Sequence, residues 1–270
     1  MAIKVIFPLL SFILLSGYYD DGELLKKYSA SVDKITLPPQ KDVESLTDKN
    51  PDYKEIVNWI YKKENWAKVV ATADSKLGLY HKEGITLKIN FTISDDASPA
   101  SVRAESGDGY MEINLPTISA EIKKFPSIGI TGILAHEYTH VIQYNKGAPN
   151  SWPLWLIEGM GCYVGGVEDK WVATWATREP PHTLDQPIKD TDAVYAWGQL
   201  FHMYLEKKYS KEKLYKFADL LINKKKDYKL SAEEATGKKW DAILIEQLEW
   251  AKEWINSYYK TKAKEGKSEK

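Results

Sequence analysis

From Pro51 onward the apolar residues Ile56, Trp59, Ile60, Trp66, Val69 and Val70 recur three and four positions apart, the spacing of one face of a helix. The period then changes. ITLKINFTI (85–93) and YMEINL (110–115) alternate apolar and polar side chains and predict two strands, with a Gly-Asp-Gly turn at 107–109 before the second. After Pro126 and Ser127, helical spacing returns through Ile130, Ile133, Leu134, Val141 and Ile142. GAPNSWP (147–153) breaks it, and LWLIEGMGCYV starts another helix. Residues 165–190, with Pro180, Pro181 and Pro187, read as an extended loop. Beyond Asp192 helix is expected over 192–208, 211–224 and 238–259, with Ser231 and Glu234 spaced as a capping box. The pattern predicts an α+β chain, mostly helical, in which a small strand-bearing N-terminal lobe precedes a helical C-terminal lobe.

The ends read differently from the middle. Residues 1–17 join a short positive start to the uncharged VIFPLLSFILLSG, too short to span a bilayer and expected to be a secretory signal peptide. That predicts an exported protein (secreted, periplasmic or cell-surface) with no stable membrane insertion once the leader is removed. Residues 18–50 are polar and read as a loosely held lead-in. Residues 51–126 form the N-terminal helix and strand lobe, 127–259 the helical lobe, and 260–270 a solvated tail.

Composition narrows the function. Lys plus Arg number 37 against 38 Asp plus Glu, a net charge of −1, so no basic field recruits nucleic acid. Cys162 is the single cysteine, which excludes an internal disulfide framework and a multi-cysteine metal site. Against this background HEYTH (136–140) stands out. On a helix, residues four apart are separated by about 40° around the axis and about 6 Å along it, so His136 and His140 can reach one metal. Glu137 lies between them, placed to take a proton from a water without replacing a ligand. A catalytic zinc takes three protein ligands, and Glu158, in the apolar WLIEG, is the candidate third: a carboxylate there is costly unless paired or metal-bound.

HEYTHVIQYN followed by WLIEGMGCYV resembles the gluzincin zinc peptidases, and within them the peptidase-MA-like group that includes the plant basic secretory proteins. ITGILAHEYTHVIQ and IEGMGCY keep that order, and the likeness runs from about 105 to 255 through YAWGQLFHMYLEKKY (195–209) and GKKWDAILIEQLEWAKEW (237–254). The resemblance implies a zincin-like fold, one zinc ion on His136, His140 and Glu158, Glu137 as general base, and a peptide or protein substrate. Two departures stand out. Cys162 occupies the place of an Asp that orients a zinc histidine, so another partner must fix that imidazole. The chain is also not basic.

Tyr195-Ala196-Trp197-Gly198 resembles the Tyr-x-x-Gly opening of the helix that carries the catalytic tyrosine in gluzincin aminopeptidases. Tyr195 is therefore the candidate oxyanion donor, and Gly198, on the same face, would let that face approach the zinc helix. YMEINL would suit an edge strand lying along a peptide, and Glu112 within it is a candidate for recognising a free amine. His182, in the proline-rich loop, is a candidate substrate donor; His202 reads as a supporting or surface residue. The 10 tryptophans allow two readings, core packing or sugar binding. The rival function is accordingly a gluzincin-fold binding protein without turnover, gripping glycans.

Overall fold

The computed structural model describes residues 20–48, 50–79, 84–95, 98–105, 108–146 and 152–268. The proposed leader and residues 147–151 of the break lie outside the described residues. The chain opens with α1 (Asp21–Val32), β1 (Ile35–Thr36), α2 (Gln40–Thr47), α3 (Pro51–Ile60) and α4 (Lys63–Leu77). A sheet follows, of β2 (Leu87–Thr92), β3 (Ala100–Glu105) and β4 (Asp108–Asn114). The rest is helical: α5 (Leu115–Lys124), α6 (Gly129–Asn145), α7 (Leu154–Gly165), α8 (Asp169–Ala176), α9 (Thr191–Tyr204), α10 (Lys211–Ala218), α11 (Tyr228–Thr236) and α12 (Trp240–Ser268). The α+β, mostly helical class is as the pattern predicts.

The lead-in is folded rather than loose. Asp20 caps α1 by accepting from the Gly22 amide at 2.9 Å. Tyr28 and Val32 are buried as α1 packs on α4, and the Tyr28 hydroxyl donates to Asp74 at 2.8 Å. Four-residue spacing of Leu24, Tyr28 and Val32 is the apolar stripe responsible. Farther on, α8 forms inside the stretch expected to be an extended loop. Ser231 is buried inside α11, whose cap is Asp227, accepting from Lys229 and Leu230; the capping box is not used. The tail continues α12 as helix to Ser268, exposed over 260–265.

The sheet order is β1-β2-β4-β3, with β3 antiparallel to β4 and the other pairs parallel. YMEINL therefore lies in an interior strand. The edge beside it is β3, whose ASVRAE carries too little apolar bulk to announce a strand. Gly109, Met111 and Ile113 face α6: Val141 Cγ1 stands 2.7 Å from where a Cβ on Gly109 would be. The alternation puts Tyr110 and Glu112 on the opposite, outer face.

Two close helix crossings set the positions of α6, α7 and α9. A Cβ on Gly132 of α6 would come 2.5 Å from the Gly165 carbonyl oxygen of α7. At the next crossing, a Cβ on Gly198 of α9 would collide with the Trp155 carbonyl oxygen and crowd Gly159 on α7. Gly198 thus brings α9 against the helix of Glu158, not against the helix of HEYTH as expected. Adding one methyl here forces backbone apart. Gly198→Ala should destabilise the chain by about 1–3 kcal/mol, the cost of overpacking a filled core, read as a Tm lowered by several degrees in thermal denaturation. A Gly166→Ala control has open space around its Cβ but a left-handed backbone (φ 77°), and should lose less.

Candidate metal centre

Helix α6 is buried on nearly all sides, so each polar side chain it carries must find a partner inside the protein. Glu137 and His140 are buried, and His136 is partly so. The crossing with α7 puts Glu158 opposite them. His136 Nε2 and His140 Nε2 stand 3.0 Å apart, and Glu158 Oε2 lies 3.4 and 3.3 Å from them. His136 keeps its place because Gly161 presents a bare Cα to the ring face; a Cβ there would sit 2.8–2.9 Å from the ring atoms.

The three donors form one group that can hold a metal ion. Four ligands bonded tetrahedrally at about 2.0–2.1 Å stand about 3.3–3.4 Å apart. The observed spacing and the two-nitrogen, one-oxygen chemistry fit a small divalent cation with one ligand position to spare.

The electrostatics point the same way. Burial alone would push the Glu158 carboxyl up, but hydrogen bonds from His136 and His140 outweigh it and hold the group down at about 2. Burial would lower His140, but Glu158 overrides it and raises the imidazole to about 9. Glu137 behaves oppositely: burial raises its carboxyl, against the pull of the two imidazoles. Two carboxylates in one site are thereby driven apart in acidity, which divides roles between them.

The sequence did not identify what orients His140. Gln143, fully buried, places its Oε1 2.8 Å from His140 Nδ1, while its Nε2 donates to the Ile157 carbonyl at 3.2 Å and toward Met160 Sδ at 3.4 Å. The Ile157 carbonyl can only accept, which fixes the amide with its oxygen toward the ring. His140 therefore donates from Nδ1 and leaves Nε2 for a ligand. Its spacing, three residues after His140, was the available signal. Cys162 takes no such part; burial pushes its thiol well up and keeps it neutral.

Tyr195 is half-buried at the start of α9 and comes within electrostatic reach of the group. Burial first, then the charges of Glu158, Cys162 and Glu137, raise its phenol, so the O–H stays available as a donor. Tyr144, which the sequence did not single out, stacks on His140 with ring centroids 6.1 Å apart, and burial raises its phenol too. Of the other candidates, Glu112 does not join the group. Glu112 is exposed on the outer face of the sheet, away from α6, because strand side chains alternate. His182 stands exposed on the loop after α8. His202 is a core residue rather than a surface one, its Nδ1 2.8 Å from the Gly198 carbonyl and its ring lowered to about 4 by burial. Trp152, Trp155, Trp175 and Trp197 are buried, and Trp171 is partly buried against Phe125 and Trp175, so core packing accounts for the tryptophans nearest the site.

A family model described as peptidase of plants and bacteria matches residues 53–248, which includes all three metal-directed side chains and Tyr195. No curated protein and no solved structure matches the chain.

The Gln143 geometry makes a specific prediction. Gln143→Leu leaves His140 Nδ1 without its acceptor and should weaken divalent-metal binding about 10–100-fold. Gln143→Glu restores that acceptor but sets a carboxylate against the Ile157 carbonyl, and should recover only part of it. Competition with a chromophoric chelator measures both.

Proposed function

We propose that this chain, which belongs to the BSP family of peptidases of plants and bacteria, is a zinc-dependent peptidase of the gluzincin kind. The observation that carries the reading is the convergence of His136, His140 and Glu158 on one point, with the buried carboxyl of Glu137 beside them and not among them. Two imidazoles and one carboxylate suit zinc best among the common divalent ions. His136, His140 and Glu158 would hold it. Bound there, the ion would polarise a scissile carbonyl and lower the pKa of a water toward about 7.

The chain's own groups supply the rest. Glu137, its acidity weakened by burial, takes the proton of the attacking water on a carboxylate oxygen and passes it to the leaving amine nitrogen. The Tyr195 hydroxyl donates to the carbonyl oxygen as negative charge grows there. The substrate backbone pairs along the outer edge of β3, the end strand of the sheet among the described residues, which packs against α6 and takes over the part expected of YMEINL. His182 remains a candidate contact for a bound peptide through its loop. Export by the leader at 1–17 completes the reading; no helix among the described residues is long and apolar enough to cross a membrane.

The purified mature chain should hold about one zinc. Glu137→Gln should keep that zinc and the fold while losing about 10²–10⁴-fold in peptide hydrolysis, the usual share of a general base. Turnover equal to the parent on any peptide the parent cleaves would refute the mechanism.

Tyr195→Phe removes the donor and almost no volume. It should lower kcat by about 10²-fold, leaving KM, Tm and zinc content near the parent's, because the donated bond strengthens only in the transition state. A variant within about threefold of the parent in kcat would pass the role to the other phenol at the site, Tyr144.

A further inference from the structure

The first turn of α9 is held from outside the helix by a carboxylate on the turn after α8. Glu179 Oε2 accepts from two successive backbone amides across the intervening loop, Lys189 at 2.8 Å and Asp190 at 2.6 Å. Asp190 is in turn the cap of α9: its Oδ1 accepts from the Ala193 amide at 2.8 Å, and its carbonyl from the Val194 amide at 3.0 Å. Glu179 therefore fixes the residue that starts the helix. A carboxylate suits the task, since bonds from N–H groups to a charged oxygen are about twice as strong as neutral ones. Negative charge is also favoured at a helix N-terminus.

Neighbouring contacts bind the same two segments. Arg178 pairs with Asp192 in the first turn, and Trp197 Nε1 donates to the Ala176 carbonyl at 3.1 Å farther along. Buried Trp197 and the Gly198 crossing on α7 secure the middle of α9. The start depends more on Glu179, because helix ends fray and the loop at 180–188 offers little. Its Pro180, Pro181 and Pro187 have no amide hydrogen to donate. Tyr195 directly follows Val194, half-buried, with the charge of Asp192 reaching its phenol.

We propose that Glu179 is a positioning residue: by holding Asp190 it sets the place of the first turn of α9, and with it the Tyr195 hydroxyl beside the metal centre. The inference rests on the reading of Tyr195 as the oxyanion donor. Misplacing a reacting group by about 1 Å can cost about 10²-fold in rate. A first turn released at this anchor, with Arg178 still on Asp192, should lose about tenfold.

The test separates holding from turnover. Zinc-loaded parent, Glu179→Ala, Glu179→Gln, Tyr195→Phe and the double variant Glu179→Ala with Tyr195→Phe are compared by steady-state peptide hydrolysis, and amide hydrogen exchange is followed by mass spectrometry over residues 186–195. Glu179→Ala should speed exchange in that segment about tenfold, the loss of a bond to a charged acceptor. It should lower kcat about tenfold and keep KM within about threefold of the parent's. Glu179→Gln keeps an oxygen that can accept both amides, and should return exchange and kcat to within about threefold of the parent. In the Tyr195→Phe background Glu179→Ala should cost no further kcat, because the group it positions is gone. Unchanged exchange, an unchanged kcat in Glu179→Ala, no rescue by Gln, or equal losses in both backgrounds would overturn the positioning role while leaving Tyr195 as the donor. A parent without turnover, or Tyr195→Phe with the parent's kcat, would overturn the reading beneath it and the inference together.

Discussion

Helices α6 and α7 touch backbone to backbone where Gly132 meets Gly165, and Glu158 reaches the nitrogens of His136 and His140 because they do. A helix pair separated by ordinary side chains runs with axes about 8–10 Å apart. Here glycine removes the spacer on both partners, and Gly161 removes it again beneath the His136 ring. The same device recurs one helix on, where Gly159 and Gly198 let α9 lie against α7 and bring Tyr195 toward the centre. Donor atoms spaced 3.0–3.4 Å apart leave no slack for a methyl group at either crossing. The precision of the site is therefore a property of helix packing, not of loops.

Close packing also sets the electrostatics. Removing a carboxylate from water costs several kcal/mol unless partners compensate, and this site withdraws two beside two imidazoles, Glu137 almost wholly and Glu158 in part. The compensation is unequal. Glu158 receives both imidazoles and stays ionised, whereas Glu137 has burial as its largest influence and is pushed toward the neutral form. A carboxylate that stays charged suits a cation ligand; one nearer its protonation point suits proton transfer. The division follows from position on the helix: residue 137 is about 100° around from His136 and about 60° from His140, beside the ligands and not among them.

Much of this was legible in the sequence, for a physical reason. The i, i+4 spacing of His136 and His140 is a local property of one helix, and an apolar run around Glu158 marks a carboxylate that needs a partner. The helical and strand periods likewise placed α6, α7, α9, β2 and β4. What failed was non-local. Whether YMEINL sits at an edge depends on ASVRAE pairing beside it, and nothing in either segment states that. Which face Glu112 takes depends on where α6 docks. Gly198 carried a readable signal of close approach, but its partner, α7, is fixed only in three dimensions. The lead-in was misjudged because its stripe is thin: three residues over one short helix, convincing only once α4 provides the surface to bury them.

Gln143 joins the local and non-local parts. Its oxygen faces a ligand on its own helix, His140, and its nitrogen donates to the backbone of α7 one residue before Glu158. One rigid amide therefore sets the tautomer of one ligand and the height of the helix that carries another. An acid on α7, at the position of Cys162, would orient an imidazole across the helix interface and would add a third carboxylate to a site already holding two. A neutral amide avoids that charge. It also accepts and donates at once, which a carboxylate cannot do. With the amide on α6, the thiol at 162 is left to pack as a small buried group, and the centre keeps its geometry with one fewer buried charge.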